Sequence, residues 1–100
     1  MLIKRWQASV VPNQEQIKLM FFNEGLEIVE EKIEPETKFQ EHRHPFCEVR
    51  VIIEGELLFN VGGTQLLLRA GDRIEIPANT KHWHMTQQQG ALTFFSRKIF

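Results

Sequence analysis

From Leu26 onward, turn-forming residues cut the chain into short runs, each turn about eight to twelve residues from the next. The runs are Leu26 to Glu34, Phe39 to Glu54, Leu57 to Val61, Gln65 to Arg69, Arg73 to Ile76, His82 to Thr86 and Ala91 to Ile99. Pro35, Gly55, Gly62-Gly63, Ala70-Gly71-Asp72 and Pro77-Ala78-Asn79-Thr80 separate most of them, and Gly62-Gly63 suits a tight hairpin. Runs this short predict an all-β antiparallel sandwich or barrel, not alternating helices and strands. Only one short helix is predicted, ahead of the strands. There Asn13 and Gln16 have the form of a capping box, Ile17, Met20 and Phe21 recur at helical spacing, and Gly25 offers a stop. One hundred residues make a single domain, 1–100.

Twelve Lys and Arg stand against thirteen Asp and Glu, so no charge footprint for nucleic acid or an anionic membrane is visible. No run approaches the roughly 18 apolar residues of a membrane span, and no apolar signal core follows the basic pair near Met1. A cytoplasmic protein is expected. The single cysteine, Cys47, excludes an internal disulfide. It reads as a packing residue, because nothing basic beside it lowers its pKa.

The four histidines fall into two His-x-His pairs, His42/His44 and His82/His84, and Glu48 follows the first pair. Residues two apart share one face of a strand, so His42, His44, Phe46 and Glu48 are expected along one side of a single strand, with His82 and His84 along another. Imidazoles with a carboxylate suit a divalent transition ion such as iron, manganese, nickel, cobalt or zinc. The set is poor in cysteine and unlike a closed structural zinc site. The same alternation turns Arg50 and Ile52 inward and Val49, Val51 and Ile53 outward. The strand is apolar on both faces, and Trp83 and Met85 repeat the pattern. A homodimer built partly on that outer face is expected.

His42-x-His44-x3-Glu48-x6-Gly55, then Gly71-x5-Pro77-x4-His82, resemble the two motifs of the cupin superfamily, in order, over residues 36–86. The resemblance implies a jelly-roll barrel of six to eight strands. It also implies a metal held inside by His42, His44, Glu48 and His82, with two neighbouring positions of an octahedral ion left open. Two positions depart from the pattern: Glu36 and Asn79 stand where the family usually has glycine. Asparagine tolerates the left-handed conformation, so Asn79 is expected to keep its turn. Within the superfamily, Phe39-x-Glu41-His42-x-His44-x3-Glu48-Val49-Arg50, with Gly55 and Phe59-x-Val61, is similar to the ligand strand of acireductone dioxygenases. Those enzymes use iron or nickel to bind an enediolate and admit dioxygen.

Two more inward residues stand near the expected ligands. His84 reads as an alternative ligand, a proton-transfer group near neutral pH, a donor to another ligand, or a packed barrel residue. Arg50 reads either as an ion-pair partner of Glu48 or as a holder of substrate oxygens. The leading expectation is a metal-dependent dioxygenase acting on an enolisable or dicarbonyl-like small molecule, with His84 as general base and Arg50 offsetting charge. A non-catalytic metal- or ligand-binding module and a metal-dependent isomerase or lyase are the alternatives.

Overall fold

The computed structural model describes every residue except Ser9, Ile99 and Phe100. In chain order its elements are β1 (Leu2–Lys4), α1 (Gln14–Asn23), β2 (Val29–Ile33), β3 (Lys38–His42), β4 (Cys47–Val61), β5 (Thr64–Arg69), β6 (Arg73–Ile76), β7 (His82–Met85) and β8 (Ala91–Lys98). Ile99, the expected last residue of the final strand, lies outside the described residues.

All strand pairs are antiparallel, as the turn spacing predicts. They form two sheets that share β4. Its first half pairs with β6 and β8, which in turn carry β1 and β2 at the edges. Its second half pairs with β5 and β7, and β7 carries β3. The expected turn at Gly55 is therefore a bend inside one long strand. The register slips between Ile52 and Glu54, and Gly55 follows with φ 77°. A Cβ there would stand 2.1 Å from the Gly90 carbonyl oxygen, so the strand changes sheets at a position only glycine fits.

The expected single strand from Phe39 to Glu54 is instead two, β3 and β4, with residues 43–46 outside any strand. Pro45 lies in that gap, and a proline has no N–H to give to a ladder. The first expected strand is also shorter, beginning at Val29, and β1 was not foreseen because three residues carry no readable period.

Two apolar clusters result. Between the sheets lie Ile33, Ile52, Leu57, Phe59, Val61, Leu68, Ile74 and Ile76. Outside the β4–β8 face, Val49, Val51, Ile53 and Phe94 pack against Ile17 and Phe21 of α1. The face expected to meet a second subunit is thus covered by the chain's own helix. That helix starts as predicted: the Asn13 side chain accepts from the Gln16 N–H and the Gln16 side chain from the Asn13 N–H, both at 2.9 Å. At the other end Leu26 N–H reaches back to the Phe21 carbonyl at 2.9 Å.

Candidate metal centre

β3 and β7 are paired so that His42, the last residue of one, faces His82, the first of the other. The two imidazole centroids are 4.3 Å apart. His44 comes from the loop after β3. Its carbonyl accepts the Asn79 N–H at 2.7 Å, and its ring stacks flat on Phe46 at 4.0 Å. This ties one ligand loop to the turn before β7 and brings the His44 ring to 4.9 Å from His82. His42, His44 and His82 each offer a nitrogen such that all three lie within 4.8 Å of one another.

The backbone decides which nitrogen faces the others. The Nδ1 of His42 bonds the Gln40 carbonyl at 2.8 Å, that of His44 the Phe46 carbonyl at 2.9 Å, and that of His82 the Thr80 carbonyl at 2.8 Å. A carbonyl can only accept, so each Nδ1 carries the proton and each Nε2 is left with a lone pair. His82 Nε2 is buried with no hydrogen-bond partner. Burial is also the main reason its pKa lies below the ordinary imidazole value.

Glu48 enters from the start of β4, where it is paired with Ile76 of β6 and Arg97 of β8. Its Oε1 lies 3.2 Å from His44 Nε2 and 3.8 Å from His82 Nε2. Burial alone would raise its pKa, but the Arg50 guanidinium beside it outweighs that and holds the carboxyl below its ordinary range. The acceptors facing one another here call for a proton or a metal ion among them. Three imidazoles and a carboxylate fit a divalent transition ion.

Arg50 is buried and committed to protein partners. Its Nε donates to Glu48 Oε2 at 2.8 Å, its Nη1 to Glu31 Oε1 and to Thr93 Oγ1, each at 2.7 Å, and its guanidinium lies 4.4 Å from the Phe95 ring centre. Of the two roles expected for it, the ion pair with Glu48 is the one seen. Glu31 and Thr93 were not singled out in the sequence. Glu31 sits in the unremarkable run Glu30-Glu31-Lys32, and only the β2–β8–β4 pairing brings it to Arg50.

His84 shares the inward face of β7 with His82 but stands between Phe39 and Phe59, with ring centres at 4.4 and 5.0 Å. Both its nitrogens are buried without a partner. Burial, reinforced by the Arg50 charge, lowers its pKa to about 3. That lowering runs against a base poised near neutral pH, one of the roles expected for His84, and leaves a neutral ring between two phenylalanines. Cys47, partly buried, has its thiol pKa raised by burial first and by nearby carboxylates, in keeping with a packing role.

Residues 29–96 match the family model described as the cupin domain. An acireductone dioxygenase from Alcanivorax borkumensis is 46% identical over 48 residues, which cover 44% of this chain and 26% of that protein. Two solved structures share the fold. A DMSP lyase from Ruegeria pomeroyi superposes with TM-score 0.69 at 21% identity, over 74% of this chain and 38% of that one. A salicylate 1,2-dioxygenase variant from Pseudoaminobacter salicylatoxidans does so with TM-score 0.68 at 24% identity, over 73% and 22%. The chain spans between 26% and 31% of the curated relatives it matches.

Proposed function

The chain belongs to the cupin domain family, and on that premise we propose that it is a metal-dependent dioxygenase acting on an enolisable or dicarbonyl-like small molecule. The observation that carries the reading is the donor set. Three histidines have their Nδ1 protons tied to backbone carbonyls, their other nitrogens converge within 4.8 Å, and an anionic Glu48 stands beside them. In this reading His42, His44, His82 and Glu48 hold one divalent ion; iron, manganese, nickel and zinc all suit these donors. When bound, such an ion supplies Lewis-acid polarisation and a template for two substrate oxygens.

The protein's own residues do the rest. The backbone carbonyls of Gln40, Phe46 and Thr80 fix the imidazole tautomers, so no reorganisation is needed on binding. Arg50 holds Glu48 and offsets its charge without leaving the interior. His84, neutral and caged, orients a substrate group through a nitrogen that has no protein partner. Support for dioxygenase chemistry over other cupin chemistry comes from the similarity to acireductone dioxygenases over 44% of this chain, together with the resemblance of residues 39–61 to their ligand strand. A homodimer is proposed as well; of the outward residues expected to build it, Trp83 and Met85 are still partly accessible.

Oxygen uptake tests the reading. The iron-loaded protein is expected to consume dioxygen only when an enediol or β-diketone is added. Turnover of such a compound without oxygen would favour the isomerase or lyase alternative. Stoichiometric metal with no turnover across the panel would favour the binding module.

A further inference from the structure

Glu48 can serve as a fourth ligand only if one oxygen stays turned toward the histidines. The carboxylate has two oxygens, and Arg50 holds just one of them, Oε2, through a single donor, Nε. The arginine fork that takes both oxygens of a carboxylate through Nε uses Nε with Nη2, and here only Nε reaches Glu48. On the far side of the guanidinium, Nη1 donates to Glu31 Oε1 on β2 and Thr93 Oγ1 on β8, both at 2.7 Å. The ring of Phe95 lies against the same guanidinium at 4.4 Å.

We propose that Glu31 is a positioning residue for the metal centre. By anchoring Nη1 of Arg50, together with Thr93, it fixes the plane and position of the guanidinium, so that Nε meets Oε2 and Oε1 is left facing His44 and His82. Thr93 shares the anchor. Its hydroxyl accepts from Nη1, and its strand pairs directly with Glu31. Glu31 touches none of the three histidines in this arrangement and acts only through Arg50. Its own side chain is 29% exposed, whereas that of Arg50 is 3% exposed, so the anchor sits at the rim of the fold and its target in the interior. The inference rests on the reading of Glu48 as a ligand.

Titration of the full-length, metal-free protein with Co(II) tests it, with affinity and the visible absorption spectrum as readouts and the melting temperature without metal as a control. Glu31→Gln is expected to weaken Co(II) binding by about tenfold, in the range typical of groups that orient a ligand. It should also shift the spectrum toward that of Glu48→Gln while leaving the metal-free melting temperature near the parent value. Affinity and spectrum equal to the parent in Glu31→Gln, when Glu48→Gln changes both, would overturn the inference. An unchanged spectrum in Glu48→Gln would overturn the premise instead. Should Glu31→Gln fail to fold, Thr93→Val removes the other anchor of the same Nη1 at equal volume. Weakened Co(II) binding there supports the inference, and parent-like binding overturns it.

Discussion

Glu36 and Asn79 both occupy the left-handed region, with φ of 55° and 59°. They stand where the family motif usually carries glycine, and Asn79 keeps its turn as expected. Glutamate lacks asparagine's tolerance for that conformation, so Glu36 stores strain of about 1–2 kcal/mol, against the smaller entropy cost of a glycine. Glu36→Gly should therefore raise stability by about 0.5–1 kcal/mol in urea denaturation. The candidate metal cluster of His42, His44 and His82 was legible because four histidines and a carboxylate at short spacing carry their own signal. The roles of Arg50 and His84 were not. Spacing places a side chain on a face, but only the neighbours supplied by β2, β3, β4 and β8 show that one is paired with Glu48, Glu31 and Thr93 and the other stands between Phe39 and Phe59.

Among the elements, β4 organises the site and α1 covers the opposite, outer face of the β4–β8 sheet. Gly55 lets β4 cross from one sheet to the other, and a methyl group there meets both a positive φ and the Gly90 carbonyl oxygen. Gly55→Ala is expected to cost at least about 3 kcal/mol, read as a lowered urea midpoint, because strain and overpacking add. In α1, Phe21 is fully buried on Val49, Val51, Ile53 and Phe94, in a cluster separate from the one between the sheets. Phe21→Ala should destabilise by about 3–5 kcal/mol, yet leave Co(II) affinity of the folded protein unchanged. The capping box made this helix readable in the sequence. The break between β3 and β4 was harder to read. The alternation of His42, His44 and Glu48 looks continuous across residues 43–46, and the interruption comes from Pro45 and from the tie between His44 and Asn79.

At the scale of the whole molecule, the N-terminal segment is fastened by one carboxylate. Asp72 accepts from the Trp6 N–H at 2.8 Å, from the Arg69 N–H at 3.0 Å and from the Arg5 guanidinium at 2.9 Å. Burial would raise its pKa, but these donors outweigh burial and hold it below the usual carboxylate range. A depressed folded pKa gives stability that is present above the unfolded value, about 3.9, and lost as pH falls through the lower folded one. The melting-temperature gap between the parent and Asp72→Asn should accordingly be wide at pH 7 and narrow below about pH 4. A gap that stayed constant across that range would count against the clamp. No helix of the described residues is long and apolar enough to cross a membrane. The topology was legible in outline, since turn spacing alone implies antiparallel strands. The sharing of β4 between two sheets was not, because it depends on the contact between Gly55 and Gly90 across 35 residues of sequence. The central claim is that His42, His44, Glu48 and His82 hold a metal. Elemental analysis of tag-free protein beside its His44→Ala/Glu48→Ala variant tests it most directly. The account predicts about one divalent transition ion per parent chain and none in the variant, whereas undiminished metal in the variant would contradict it.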